Sequence, residues 1–304
     1  MSRIGWCLGI LLLTAARPLR AWSAQGHMAT GAIAFDLLGQ RNPAAIAAIE
    51  QLMESHPDRA RFESALQGLD GPARTRRLFE LIARWPDDIR GTGYSHVHWH
   101  HQLRIVAGSH LFRGLRLGEA DHGFRTALRI LRDARADAGR RAVALCWLFH
   151  ITGDMHQPLH AGHLMNGRFP FTDQAGTIGW VKASPEAEPE TLHQFWDKAA
   201  DRPGDDMAGA DSIAQAVEPG LEPIEPVEDI VAAYRGWVGE SEELAAEGAY
   251  RGAALDESRA PDRAPVLPPD YVTSAREIAE HRLGQAGARL AGLIQRLFDP
   301  APAE

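Results

Sequence analysis

Apolar residues recur at spacings of three and four through most of this chain, and that periodicity restricts what it can fold into. The period is that of an amphipathic helix, whose apolar stripe must pack against a neighbour. It runs through ATGAIAFDLLG, PARTRRLFELIARW, FRTALRILRDAR, RAVALCWLFHITGD and AREIAEHRLGQAGARLAGLIQRLF, whereas no segment shows sustained strand alternation. The sequence therefore predicts an all-α fold, a single multi-helix domain whose last helix packs back on the body. Loops are predicted at residues 167–189, 202–226 and 256–270.

The charge of the chain limits how it could bind a polyanion. Its 304 residues include 40 acidic and 32 basic side chains, which gives a formal net charge of -8 at pH 7. A protein that binds nucleic acid through a broad basic surface relies on many Lys and Arg contacts to phosphates. This balance argues against such a surface, so a phosphate substrate would need local positive charge, for example from bound metal ions.

The first 21 residues, MSRIGWCLGILLLTAARPLRA, have the layout of a secretory signal peptide: Arg3, an apolar run at residues 4–13, and then small residues. The apolar run is too short to span a bilayer, so we expect export to the periplasm or medium without a stable membrane anchor. Cleavage after Ala21 would leave residues 22–304, and cleavage after Ala16 is the alternative. Either cleavage leaves Cys146 as the only cysteine, and its apolar helix predicts a buried packing role.

Polar residues interrupt the apolar stretch LCWLFHITGDMHQPLHAGH, where each would need a partner if buried. His150 and Asp154 are four residues apart, so on a helix they share one face and could bind one ion. Pro158 lacks a backbone N–H and should end or kink that helix, so that His160 projects in another direction. A second pair at the same spacing follows in TLHQFWDKAA, where the ligand types are again an imidazole and a carboxylate, His193 and Asp197.

Further donors of the same kind occur at three other places. WPDDIR supplies Asp87 just beyond a predicted helix, with Arg90 beside it, and AWSAQGHM supplies His27. SHVHWHHQ contains four histidines, and their spacing alone leaves open which one is a ligand. Nitrogen and oxygen donors without thiolates suit zinc in open, catalytic sites. One His in an apolar helix is more often a hydrogen-bonded core residue, but several such groupings in one thiol-poor chain favour metal binding.

The order of these motifs matches a known family. W-x-D-x-[IV]-[RK] is met at residues 85–90, W-H at 99–100, H-x-x-G-D-x-H-Q-P-L-H at 150–160 and L-H-x-x-W-D at 192–197. With Trp22 and the Gly-His pair that ends at His27, the chain resembles the zinc-dependent single-strand-specific nucleases and 3'-nucleotidases, within the superfamily shared with zinc phospholipase C. The resemblance covers essentially the whole chain after residue 21. It implies endonucleolytic hydrolysis of single-stranded DNA and RNA to 5'-phosphate products, and 3'-nucleotidase activity.

The resemblance also implies a cleft with three zinc ions and assigns their ligands. The ligands of the first ion would be Asp87, His100, His150 and Asp154. The second ion would share Asp154 and use His27 together with the α-amino group and carbonyl oxygen of Trp22. The ligands of the third would be His160, His193 and Asp197. His100 is favoured because it follows Trp99 as in the family's W-H pair, and His98 is the alternative.

Two groups are expected to act on the phosphate. The resemblance implies that Asp87 orients or deprotonates the attacking water while it binds metal, and that Arg90 pairs with the phosphate. Zinc lowers the pKa of bound water to about 7, which suits hydrolysis near neutral pH. The substrates would be single-stranded nucleic acid or 3'-nucleotides, and we expect the enzyme to be a monomer.

One segment departs from the family's pattern. The family carries D-x-G-G-N after the central motif, with an Asn that contacts the nucleobase, whereas this chain reads TDQAGTIGW. Thr177 stands in the Asn position and lacks the paired donor and acceptor of an amide. This change makes a non-catalytic zinc-binding protein one alternative function. A zinc phospholipase C, which shares the scaffold, is the other.

Overall fold

The computed structural model describes residues 22–108, 115–217 and 227–298, and the predicted signal peptide at residues 1–21 lies outside these ranges. Within them the protein has eleven α-helices and two small sheets. The helices are α1 (Ala24–Arg41), α2 (Pro43–Met53), α3 (Arg59–Ala65), α4 (Gly71–Asp88), α5 (Ala120–Arg132), α6 (Ala138–Asp154), α7 (Pro158–Ala161), α8 (Leu192–Asp197), α9 (Asp206–Val217), α10 (Ile230–Leu244) and α11 (Pro269–Phe298). The predicted helical fold class is confirmed. No helix in the described ranges is long and apolar enough to cross a membrane.

Helix α1 occupies the middle of the helical packing. It contacts α4, α9 and α11, while α6 packs against α4 and α5. Two glycines permit close approach, since a Cβ on Gly31 would lie 2.4 Å from the Phe79 carbonyl oxygen and one on Gly287 would lie 2.5 Å from Ile33 Cβ. The last helix does pack back on the body, as predicted. Most of the large core cluster comes from α1, α4, α5, α6 and the end of α11.

A second core cluster lies beside the two sheets. It contains Trp196 of α8 and Tyr271 of α11, and the Trp196 indole donates to the Tyr271 hydroxyl at 2.8 Å. That hydroxyl donates in turn to the Ala249 carbonyl, in a π-helical turn (Ala245–Ala249) that continues α10. Trp147 and Trp196, which lie in helical apolar patterns, are buried. Cys146 is a buried free thiol, in agreement with its predicted packing role.

The sheets were not predicted. The larger one has the order β2-β1-β3, formed by β1 (Leu103–Gly108), β2 (Arg116–Leu117) and β3 (Gly162–Met165), and β1 pairs antiparallel with β2 and parallel with β3. The smaller one pairs β4 (Trp180–Val181) with β5 (Glu190–Thr191). These short strands were not indicated by the sequence pattern, and they leave the helical fold class unchanged. In β1, burial does alternate along LRIVAG, but over six residues that pattern is too short to stand out in a helical chain.

Two predicted boundaries are wrong. Residues 202–226 were expected to form a loop, yet α9 occupies Asp206–Val217 and buries Ala210, Ile213 and Ala214. The apolar spacing was present, but its small side chains give a weak signal among acids and glycines. Asp87 was expected just beyond a helix, whereas α4 continues through Pro86 to Asp88. A proline within a helix removes one hydrogen bond, and the dense packing of α4 against α1 and α6 offsets that loss.

Candidate metal centre

Helix α6 supplies two of the predicted ligands from one face. Its first turn is capped by Asp137, whose carboxylate accepts from Arg140 N, and its second half is buried on all sides. His150 Nε2 and Asp154 Oδ2 lie 3.2 Å apart, as expected from the four-residue spacing, and both side chains are fully buried. The helix ends at Asp154, before Pro158, as predicted. The backbone then turns, so that ligands before and after the turn approach from different directions.

The start of helix α7 and two hydrogen bonds fix the position of His160. Pro158 stands at its first position, where no hydrogen bond is lost, and the Gln157 side chain caps the helix by accepting from Leu159 N. His160 Nδ1 donates to the His100 carbonyl, and Gln102 N donates to the His160 carbonyl at 2.9 Å. The segment that carries His100 is therefore tied directly to the helix that carries His160.

Four donors form a first group with the spacing of metal ligands. His100 Nδ1 lies 3.1 Å from Asp154 Oδ2 and 2.9 Å from His150 Nε2. Asp87 Oδ1 lies 4.0 Å from His100 Nδ1 and 3.9 Å from His150 Nε2. Atoms bound to zinc at about 2.0–2.1 Å in a tetrahedron are about 3.3 Å apart, so this set is compact enough to share one ion.

The structure distinguishes between the two candidate histidines of the W-H segment. His100 is fully buried within the first group, whereas His98 is exposed and its backbone carbonyl accepts from Glu119 N. The segment is irregular, so periodicity could not have separated the two side chains.

A second group lies on the other oxygen of Asp154. His27 Nε2 is 3.3 Å from Asp154 Oδ1, and the His27 ring stacks on His150 with centroids 3.9 Å apart. Trp22 is buried beside them, and its indole donates to the Gly153 carbonyl at 3.0 Å. One donor atom each of His27, Asp87 and His150 also fall within 4.8 Å of one another, so the first two groups are contiguous.

Helix α8 provides the third group. Thr191 and Gln194 form a capping box at its start, which fixes the first turn from which His193 projects. His193 Nε2 is 3.6 Å from Asp197 Oδ2, and His160 Nε2 is 3.8 Å from Asp197 Oδ1. His160 Nδ1 also lies 3.5 Å from Asp154 Oδ1, which connects this group to the other two.

Hydrogen bonds orient the histidines as metal ligands require. Metal-binding histidines commonly donate their second ring N–H to a carbonyl or carboxylate. His150 Nδ1 donates to Ala83 O at 2.8 Å and His193 Nδ1 to Ala175 O at 2.8 Å, while His160 Nδ1 donates to His100 O. In each case Nε2 is directed at a carboxylate of its group.

Several buried polar atoms remain without a hydrogen-bond partner among the described residues. Those in the three groups are His27 Nδ1 and Nε2, His100 Nε2, Asp154 Oδ1 and Asp197 Oδ2. Leaving such atoms unsatisfied is costly, and cations bound between them would satisfy most of them. Nitrogen and carboxylate donors fit zinc, so the residues present suit the metal that the resemblance implies.

The charges in the centre stabilise one another. Burial raises the pKa of Asp154, but the His150 and His160 imidazoles lower it more, so the pKa lies well below its ordinary range. Burial lowers the pKa of His160, and the Asp154 and Asp197 carboxylates raise it more, to about 9. The Asp154 carboxylate is therefore ionised at neutral pH, which is the form that binds metal.

Asp87 and Arg90 lie where the centre meets solvent. Their side chains are partly exposed, and Arg90 Nε donates to Asp87 Oδ1 at 3.0 Å. Burial raises the pKa of Asp87, while His150, His100 and Arg90 lower it more, to about 2. Arg90 is thus an ion-pair partner of Asp87 at the edge of the centre, and its role in binding phosphate stays a prediction.

The divergent TDQAGTIGW segment borders the third group. Ala175 has φ 60°, a left-handed conformation that favours glycine, and Ala175 O holds His193. The Thr177 hydroxyl donates to Gln174 O at 2.9 Å within its own turn. The segment therefore orients a residue of the third group, although it lacks the glycine and the amide of the family's pattern.

Some supporting residues were not foreseen. Gln157 donates to Asp197 Oδ1 at 2.8 Å, and Ser23 N donates to the Asp197 carbonyl at 2.9 Å, so that α1 begins against α8. His156 lies in the same motif, but its Nδ1 donates to Thr152 O and its Nε2 accepts from Arg289. Sequence spacing gives no signal for such contacts, because each partner comes from a distant part of the chain or from an irregular turn.

Comparisons with known proteins give matches over most of the chain. The profile of the S1/P1 nuclease family matches residues 22–299. Endonuclease 1 from Arabidopsis thaliana is 24% identical over 98% of this chain and 93% of its own length. Endonuclease 4 from the same plant is 28% identical over 52% of each chain.

Proposed function

The chain belongs to the S1/P1 nuclease family, and from this premise we propose that it is a zinc-dependent hydrolase with three metal ions that cuts single-stranded DNA and RNA and has 3'-nucleotidase activity. The observation that carries the proposal is the convergence of three contiguous groups of buried imidazoles and carboxylates, several of whose atoms have no hydrogen-bond partner in the described ranges. The ligands are Trp22, His27, Asp87, His100, His150, Asp154, His160, His193 and Asp197.

Asp87 and Arg90, at the mouth of the centre, have separate roles in the proposed hydrolysis. Bound zinc would supply positive charge for the phosphoryl oxygens and acidify water. Asp87 orients the attacking water, since its carboxylate is ionised and partly exposed at the mouth of the centre. Arg90 binds a non-bridging phosphate oxygen through the guanidinium that now pairs with Asp87. The products carry a 5'-phosphate and a 3'-hydroxyl.

The negative net charge of the protein supports a preference for single-stranded over double-stranded nucleic acid. The formal net charge of -8 gives duplex DNA no broad basic surface, so binding depends on local contacts at the centre. An exposed, unpaired chain can place its phosphate in a cleft that a duplex would not enter. We propose that the enzyme acts as a monomer outside the cytoplasm, in the periplasm or medium.

Signal cleavage after Ala21 is part of the proposal, because it frees the Trp22 amine. An α-amino group has a pKa of about 7.7–8.0, so a nearby cation can deprotonate it, whereas the amide nitrogen of the precursor cannot serve in this way. Trp22 lies beside Asp154 through its bond to Gly153 O, which supports this role. Mass spectrometry of the active, exported protein should find Trp22 as the first residue. A start at Arg17 would contradict the proposal.

One panel of assays tests the function. Zinc per protein is measured on purified mature protein, and hydrolysis of single-stranded DNA, RNA, a 3'-nucleotide and phosphatidylcholine is compared with and without chelator. We expect about three zinc ions and chelator-sensitive hydrolysis of the first three substrates. Hydrolysis of the lipid alone would identify a phospholipase C, and full zinc without any hydrolysis would identify a zinc-binding protein.

A further inference from the structure

An aromatic cavity of about 280 Å³ adjoins the metal centre and takes no part in the chemistry described above. It lies between residues 94–99, α5 and the first half of α6. Its main lining side chains are Tyr94, His96, Trp99, Ile130, Val143 and Trp147. The volume is near the lower end of the range for pockets that hold small organic ligands.

The cavity shares a wall with the metal ligands. The Trp147 ring lies 5.3 Å from the His100 ring and 6.0 Å from the His150 ring, measured between centroids. Its indole N–H donates to the Tyr94 carbonyl at 3.3 Å. Tyr94 is four residues after Arg90, which borders the centre at Asp87. A nucleotide next to one whose phosphate lies at Arg90 would have to extend along residues 90–94 to enter the cavity.

The lining offers flat aromatic surface. His96 stacks on Trp99 with centroids 3.8 Å apart and planes 12° from parallel, and Tyr94 is 43% exposed at the edge. Burial lowers the pKa of His96, so its ring is neutral at neutral pH and loses little hydration when covered. Such surfaces bind bases without sequence preference, because every base has a π-face.

The rim of the cavity has one basic and one acidic residue. Arg140 is exposed there, and Asp137, which caps α6, accepts from Arg140 N at 3.0 Å. The Asp137 carboxylate is therefore engaged with the helix terminus. The Arg140 guanidinium is available to a phosphate on either side of a base that enters the cavity.

We propose that this cavity binds one nucleobase of a single-stranded substrate, next to the nucleotide whose phosphate is cleaved. The proposal rests on the nuclease function argued above, and it assigns to the cavity a base subsite separate from the TDQAGTIGW segment. The Thr177 hydroxyl stands in place of the family's base-binding amide, but it donates to Gln174 O within its own turn. Stacking in the cavity would provide a contact to a base elsewhere in the protein.

Binding of a slowly hydrolysed oligonucleotide tests the subsite directly. Fluorescence anisotropy would follow binding of a labelled, phosphorothioate-linked single-stranded tetranucleotide to the zinc-loaded protein at fixed salt. We expect Tyr94→Ala and Val143→Trp, which fills the cavity, to weaken binding about 5-fold to 10-fold. The matched control is Met207→Ala, an exposed residue of α9 that should bind within two-fold of wild type. Thermal unfolding checks that each variant is folded.

An abasic site at each position of the tetranucleotide separates a base contact from a general structural effect. In wild type, one position should weaken binding when its base is removed, and in Tyr94→Ala the same removal should have little further effect. Equal losses in the two proteins, or no binding of the oligonucleotide by wild type, would overturn the proposal. Hydrolysis of a 3'-nucleotide should be unchanged in the control Met207→Ala. If wild type lacks that hydrolysis, the proposed function fails, while the binding comparison still decides the subsite.

Discussion

At the scale of single residues, Asp154 connects all three groups of donors. Its Oδ1 lies 3.3 Å from His27 Nε2 and 3.5 Å from His160 Nδ1, and its Oδ2 lies 3.1 Å from His100 Nδ1. The negative charge of this single carboxylate therefore lies next to imidazoles from all three groups. Asp154 is the last residue of α6, next to the turn that leads to α7.

Replacement of Asp154 tests this arrangement. Asp154→Asn keeps the size of the side chain but removes its charge and one acceptor oxygen, so we expect the loss of two of three zinc ions and of hydrolysis. The control is His163→Ala, a buried histidine of β3 outside the three groups, which should retain metal and activity. Elemental analysis of zinc per protein measures both. Similar zinc contents in the two variants would refute the ligand assignment.

Glu257 is a buried acid that belongs to none of the three groups. We predict that it makes the stability of the fold depend on pH. Both of its carboxylate oxygens lack a hydrogen-bond partner in the described part of the chain, and a Cβ on Gly179 would lie 1.8 Å from Oε2. Burial raises its pKa to about 8, and the Asp173 carboxylate adds to this while Arg168 opposes it. The folded protein therefore favours the protonated form.

The sign of the effect follows from that preference. A carboxyl group whose folded pKa is raised stabilises the fold at low pH, and this contribution is lost as pH rises from about 4.5 towards 8. Glu257→Gln cannot ionise, so it should melt at a higher temperature than wild type at pH 9 and at nearly the same temperature at pH 5. Thermal unfolding at the two pH values, with zinc held constant, measures this. A difference that is independent of pH would contradict the assignment.

At the scale of elements, the centre depends on how closely α1 and α4 approach. α1 carries His27 and α4 carries Asp87, and Gly31 lies against the α4 backbone at Phe79. A methyl group there has no space, because the obstructing atoms are backbone rather than a flexible side chain. The distance between these two helices is therefore set by a single glycine.

Gly31→Ala should separate the two helices. Overpacking of this kind costs about 1–3 kcal/mol, and the shift should also weaken zinc binding by the first two groups. Gly39→Ala, in the same helix with open space around it, should be neutral or stabilising by up to about 1 kcal/mol. Chemical denaturation gives the free energy of unfolding, and zinc titration gives the affinity. Equal stability of the two variants would contradict the role of Gly31.

The sequence predicted elements where their pattern was long or strongly apolar. α6 and α11 followed from helical periodicity, and the four-residue spacing placed His150 with Asp154 and His193 with Asp197. α9 was not predicted because its buried side chains are small. β1 was not predicted because six residues are too few to show a clear alternation of apolar and polar side chains. Which donors from distant segments meet is a property of the packing, so it required the motifs of a known family.

At the scale of the whole molecule, the metal centre joins parts of the chain that have separate cores. Its donors come from α1, α4, α6, α7, α8 and the segment that contains His100. The larger core cluster contains α4 and α6 residues, while the second contains those of α8. Cys146 is buried without a disulfide bond, so within the described residues the proposed metal ions would be a cross-link that adds to the packing of α11 against both cores.

Metal removal should therefore destabilise the entire fold. Without cations, the buried carboxylates and imidazoles of the centre keep unsatisfied atoms, and the folded state loses the free energy of zinc binding. Each site that is saturated at 1,000 times its dissociation constant contributes about 4.1 kcal/mol. For a domain of this size, about 1 kcal/mol corresponds to 2–4 °C, so loss of even one such site should lower the melting temperature by about 10 °C.

Thermal unfolding followed by circular dichroism, before and after dialysis against chelator, measures this loss. Zinc added back should restore the melting temperature, whereas magnesium should not, because imidazole nitrogens are poor ligands for it. Asp154→Asn is the matched control: with fewer ions to lose, its melting temperature should fall less on chelation than that of wild type. An unchanged melting temperature in wild type, with zinc shown to be removed, would mean that the two cores are joined by packing alone.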